Sequence, residues 1–266
     1  MRAIRLTSAA VALTLFAPAA AEARIKPIPK RTAATEVARS IATDPRQVRR
    51  AFFPVVPPRG NPAGVSTTRL AGFPRNGRSF GMLSSGNVLF ADDRNRSRNR
   101  GAANFGPLIR GARDVTILRI DLRAPANANC LTFRFRFLSE EYPEFVDDIF
   151  NDAFIAELDD SDWDASRSDP NNPDISAPRN FAVDSAGRPI RVNAVGDTSF
   201  TRRAARGTTY DGATRLLRAS TPFRGRTPTL YLSIFDQGDR DYDSTVFLDK
   251  LQLTRNGSCS SGVVID

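Results

Sequence analysis

The stretch Phe137 to Trp163 reads FLSEEYPEFVDDIFNDAFIAELDDSDW and gathers ten carboxylates in an otherwise basic chain. A second segment, FDQGDRDYDSTVFLDK, adds Asp236, Asp239, Asp241, Asp243 and Asp249. Charges of one sign at this density repel unless Arg, solvent salt or a hard cation lies among them. Calcium suits such donors, because it takes about six to eight oxygen ligands from carboxylates, amide oxygens and backbone carbonyls. The candidate ligands are Glu140, Glu141, Asn151, Asp152, Asp211, Asp236, Asp239, Asp241, Asp243 and Asp249. The spacing Asp239-x-Asp241-x-Asp243 imitates the start of an EF-hand loop and then fails. Its sixth position is Ser244 instead of Gly and its twelfth is Lys250 instead of Glu. The competing reading is that these acids pair with Arg and shape polar turns, as Asp and Asn do throughout proteins.

Paired acids also serve glycoside hydrolysis, with Glu140 or Glu141 set against Asp147 or Asp152. Glu140 and Glu141 do not form that pair themselves, since neighbours in an extended chain point to opposite faces. Among the aromatics, Phe145 and Phe150 are assigned to the core. Tyr142 and Trp163 are the candidates for stacking on a sugar, Trp163 because acids flank it on both sides. The chain contains no histidine. That excludes a Ser-His-Asp triad, a Cys-His pair, histidine-ligated zinc and a 2-His-1-carboxylate iron centre.

The elements that must position these residues read mostly as strands. In CLTFRFRFL, Leu131, Phe133, Phe135 and Phe137 share one face, and Thr132, Arg134 and Arg136 share the other. VTILRIDL, TLYLSIF and TVFLDKLQL behave similarly, and RSFGML, GNVLF, DAFIAEL, NFAVD and PIRVN are shorter candidates. Many short strands without alternating helices predict an antiparallel β-sandwich of jelly-roll kind. Ahead of it, TEVARSIATDPRQVRRAFF carries helical spacing at Val37, Ile41, Val48 and Phe52. Asp44-Pro45 reads as an N-cap and N1 proline dividing two short helices. Pro54 to Gly64 reads as a loop.

Residues 1–23 carry Arg2 and Arg5, a short apolar run and an Ala21-Glu22-Ala23 cleavage pattern, which predicts a secretory leader cut near Ala23. Its removal leaves about 240 residues, divided into a basic linker and helical segment over 24–64, a sandwich over 65–259 and a tail over 260–266. No apolar run is long enough for a transmembrane helix. In an exported chain, Cys130 and Cys259 are expected to form a disulfide across 129 residues. The alternative is two free thiols, neither of which has redox or zinc spacing. The net charge of +9 permits an anionic partner. Export and scattered arginines point away from nucleic acid and towards a cell-wall or capsule polymer.

Five segments together resemble the choice-of-anchor L domain family: GMLSSGN (81–87), SEEYPEF (139–145) with FNDAF (150–154), TTYDGAT (208–214) and DSTVFLDKL (243–251). The resemblance spans roughly residues 65 to 255. It implies an exported bacterial β-rich domain, displayed on or released from the cell surface. Family members are attached through differing carboxyl-terminal signals. None is legible here, so release into the medium or periplasm is the expectation. Glu140, Glu141, Tyr142, Asn151, Asp152, Asp211, Asp243 and Asp249 fall on the quoted motifs. The family brings no general activity with it. The expected function is a secreted, calcium-stabilised, non-enzymatic module that binds a glycan or wall polymer or acts in adhesion. The alternatives are a carboxylate glycan hydrolase and a purely structural surface component.

Overall fold

The computed structural model describes residues 25–28, 33–95, 104–165 and 175–266. Two antiparallel sheets face each other. The first has the order β1 (Ile25–Pro27), β3 (Ala63–Ser66), β4 (Phe80–Ser84), β12 (Ser244–Thr254), β6 (Cys130–Ser139), β10 (Leu217–Pro222) and β13 (Gly262–Ile265). The short β9 (Gly212–Ala213) pairs with the end of β6. The second has the order β2 (Val48–Val55), β5 (Arg113–Leu122), β11 (Thr229–Asp236), β7 (Ala153–Leu158) and β8 (Ile190–Arg191). The chain is therefore the predicted β-sandwich with one short helix, α1 (Ala34–Ile41).

Alternation in β6 does what the sequence requires of it. Phe133, Phe135 and Phe137 are buried, while Thr132, Arg134 and Arg136 are half-buried on the other face. The inward rings reach the second sheet, where Phe154 of β7 lies 5.1 Å from Phe135 and 6.3 Å from Phe133 between ring centroids. Rings packed across the two sheets bury large apolar areas and fix the sheets relative to each other. Cys130 and Cys259 form the expected disulfide, with a Cα–Cα distance of 5.7 Å. It ties the start of β6 to the approach to β13.

Three local expectations are corrected. Val48 to Val55 is strand β2 rather than a second helix, with only a 3-10 turn at Pro45–Gln47 before it. Backbone pairing with β5 outweighs a weak helical spacing. Val88–Phe90, within the predicted strand GNVLF, is another 3-10 turn, capped by the Asn87 side chain on Leu89 N. The segments before residue 65 and after residue 259 belong to the sandwich, because they supply β1, β2, the first half of β3, and β13. The expected leader and most of the Arg94–Arg100 cluster lie outside the described residues. Among the described residues no helix is long and apolar enough to cross a membrane.

Candidate functional site

Antiparallel order brings several strand ends to one pole. In the first sheet, Ser139 at the end of β6 faces Ser244 at the start of β12, and Ser84 at the end of β4 faces Thr245. In the second, Phe235 near the end of β11 faces Ala153 at the start of β7. The residues just beyond these ends are Glu140 and Glu141, Asn151 and Asp152, Asp236 and Gln237, and Asp243. All are buried. Residues more than 100 positions apart thus become neighbours through strand pairing.

Backbone bonds lock the pole together. Glu140 N donates to Asp243 O (3.2 Å), Asp152 N to Glu141 Oε2 (3.1 Å) and Gln237 N to Asp152 Oδ1 (3.2 Å). Serines line the wall opposite: Ser244 N donates to Ser85 Oγ (3.0 Å), and Thr245 Oγ1 to Ser84 Oγ (2.8 Å). The Tyr210 and Thr245 hydroxyls share a hydrogen bond. Several buried atoms have no hydrogen-bond partner: Glu141 Oε1, Asp152 Oδ2, both Asp236 carboxylate oxygens and both polar atoms of the Gln237 amide. Buried polar groups are ordinarily satisfied, so a concentration of orphaned acceptors in one place calls for a missing partner. Among the described residues, Glu141, Asp152 and Asp236 enter no ion pair.

The electrostatics follow from that isolation. Burial pushes the Asp152 carboxyl up to about 8, against the lowering pull of the Gln237 amide that donates to its Oδ1. Burial, then the charge of Asp152, raises Glu141 well above the ordinary carboxylate range. Asp236 is raised in the same way, by burial first and by Asp152 and Asp243 next. Desolvation penalises the charged form, and neighbouring like charges add to the penalty. These acids either keep their protons or need a cation.

A glycine shows how closely the pole is fitted. A Cβ on Gly86, in GMLSSGN, would lie 1.6 Å from Asp243 Oδ2. Gly86→Ala must therefore displace a buried carboxylate. It is expected to cost about 1–3 kcal/mol in urea unfolding, as overpacking does; an unchanged midpoint would show that Asp243 has room to move. Gly212 is constrained in the same way, since a Cβ there would stand 2.3 Å from the Tyr142 ring.

Not every predicted ligand is at the pole. Asp249 lies five residues along β12 from Ser244, about 17 Å away at strand rise. There its carboxylate accepts from the backbone amides of Arg75, Asn76 (2.7 Å) and Lys250 (2.6 Å) and latches the 70–76 loop to the sheet. Asp241 is exposed and gives its amide to Asp239 Oδ1 (3.1 Å), while the partly buried Asp239 borders the pole. Asn151 Oδ1 accepts from Asn193 N (3.1 Å), and the atom it leaves unpartnered is the donor Nδ2. In this orientation it braces the loop rather than offering an oxygen. Asp211 lies in an adjacent cleft, where Asn95 Nδ2 donates to it (2.7 Å).

The aromatic assignments change most. Trp163 is fully buried, stacked on Phe235 at 4.3 Å, with its Nε1 donating to Ser233 Oγ (3.1 Å). It is a core residue and cannot stack on a sugar at the surface. Flanking acids misled the reading because Asp162 turns outward to Arg179. Tyr142 is half-buried and stacked on Phe200 (5.8 Å). Phe145 and Phe150 are half-buried, with Phe145 stacked on Tyr242. Sequence reasoning missed Gln237, Ser84, Ser85 and Ser244 as members of the site. The signals were there: Ser84 and Ser85 stand in GMLSSGN, Ser244 in DSTVFLDKL, and Gln237 beside Asp236.

The orphaned acceptors are hard oxygens from both sheets, with no imidazole or thiolate among them. Donors of this kind suit a hard cation rather than zinc. Among the described residues no three acidic groups are already drawn into a coordination shell. The pole is a set of neighbouring, half-satisfied acceptors that a cation would have to tighten.

The two sheets and this end define the class: an antiparallel β-sandwich module with a buried acidic pole. The sequence motifs that build the pole sit within one family model. Residues 68–254 match the choice-of-anchor L domain, and the chain belongs to that family. Its description speaks of anchoring and fits an exported or cell-surface β-rich module. No curated protein matches the sequence.

Proposed function

We propose that the chain is an exported surface module, released after cleavage near Ala23, in which calcium at the acidic pole braces the two sheets. In this reading the braced sandwich binds an extracellular glycan or wall polymer. The observation that carries the calcium reading is the set of orphaned, buried oxygens on Glu141, Asp152 and Asp236. They come from three separated segments and both sheets, so one cation joins elements that the chain alone leaves repelling. The burial of these acids holds them away from any saccharide at the surface, which speaks against the hydrolase alternative.

Thermal melting tests the calcium reading. Calcium at a hundredfold excess over its dissociation constant stabilises by about 2.7 kcal/mol. For a domain of this size that raises Tm by roughly 5–10 °C. Asp236→Asn removes a carboxylate that costs stability when it ionises, so it is expected to raise Tm in chelator at alkaline pH and to abolish the calcium increment. A wild-type Tm that is the same in calcium and in chelator overturns the reading.

A further inference from the structure

Beside the pole lies a cleft of about 460 Å³, within the size range of small-ligand sites. Three loops wall it: residues 92–95, the 202–211 loop that leads into β9, and Glu144 from the acidic stretch. Arg202 and Arg206 line it, and both are exposed. Their guanidinium groups make no ion pair or hydrogen bond among the described residues, although Asp92, Asp93, Glu144 and Asp211 share the cleft with them and with Arg94. Two unengaged guanidinium forks supply planar, bidentate recognition of a carboxylate. The carboxylates around them accept hydrogen bonds from hydroxyl groups. A ligand that offers both a carboxylate and several hydroxyls satisfies both sets at once.

We infer that this cleft binds an acidic saccharide, with uronate carboxylates meeting Arg202 and Arg206 and sugar hydroxyls meeting Asp92, Glu144 and Asp211. The inference rests on the polymer-binding reading and locates the site for it. It also couples that site to the pole. Tyr210 lines the cleft while its hydroxyl bonds Thr245, and Gly212 pairs with Ser139.

The test is calorimetric titration of the full mature chain with a glucuronate-containing oligosaccharide, and with the same oligosaccharide after its carboxyls are reduced to alcohols. Three results are expected: binding of the acidic form, at least tenfold weaker binding of the reduced form, and at least tenfold weaker binding by R202Q/R206Q. Arg224 and Arg226 sit in the exposed turn after β10, at the opposite end of the first sheet, and R224Q/R226Q controls for the chain's overall basicity. Equal weakening by the two double variants overturns the cleft in favour of diffuse charge attraction. Binding that survives R202Q/R206Q, or that ignores carboxyl reduction, overturns the cleft or the uronate and leaves polymer binding standing. Failure of wild type to bind these probes, when cell-wall polymers are retained, overturns the acidic class alone. Failure to retain any polymer overturns both readings.

Discussion

With divalent cations chelated, the folded protein is expected to lose stability as the pH rises from about 5 to 8. Asp152, Glu141 and Asp236 hold their protons to higher pH in the folded state than in the unfolded chain. Across that interval the folded state binds more protons, so the slope of unfolding free energy against pH is negative. Their contribution is complete below the unfolded values and is lost as the pH climbs through the folded ones, which for Asp152 means about 8. Each carboxyl contributes about 1.4 kcal/mol per pH unit, so Asp152 alone accounts for up to about 4 kcal/mol across the window. Glu157, pushed up to about 7 by burial, adds in the same direction. Asp121 and Asp184 are held below the ordinary range, despite partial burial, by bonds to Arg119 and Arg50 and to Arg188. They act with the opposite sign, but only at lower pH. If calcium occupies the pole as proposed, saturating calcium is expected to remove the part of the slope that comes from Glu141, Asp152 and Asp236 and to leave that of Glu157. Urea unfolding at pH 5, 6.5 and 8, with chelator and with calcium, checks this. A stability that is flat or rising in chelator would mean that these acids find compensation elsewhere.

Replacing both cysteines, as Cys130→Ser with Cys259→Ser, is expected to cost about 5 kcal/mol in the chain-entropy account of a closed loop this long. The bridge spans 129 residues and so removes a large share of the unfolded chain's freedom. Locally, its loss frees β13, an edge strand held otherwise by pairing with β10 and by the Arg134–Asp266 ion pair (2.6 Å). The reduced-type variant should unfold at lower urea with a steeper denaturant dependence, because its unfolded state is more expanded. A loss below about 1 kcal/mol would place the bridge's effect in the native state, as strain offsetting the entropy.

The two predictions act on different parts of the molecule. The first concerns an end where burial opposes charge, and the second a clip that limits the unfolded ensemble. Calcium is expected to rescue the first defect and to leave the second unchanged, which separates them in one set of melts.

The sequence by itself determined the sandwich, a single pair of cysteines free to bridge, and two acid-crowded segments. The alternation of Phe133, Phe135 and Phe137 with Thr132, Arg134 and Arg136 is a local rule, because period two puts one set inward wherever the strand lies. Cysteine number and the crowding of acids are likewise countable along the chain. The tertiary structure alone decided which acids meet. Asp152, Asp236 and Asp243 are joined by antiparallel pairing of strands distant in sequence, while Asp249 is carried away down β12 and satisfied by the 75–76 backbone. It also decided that Val48 to Val55 is a strand, through pairing with β5, and that Trp163 is core, through Phe235. These outcomes depend on contacts between remote segments, and the energy of such contacts exceeds the local propensities that a sequence displays.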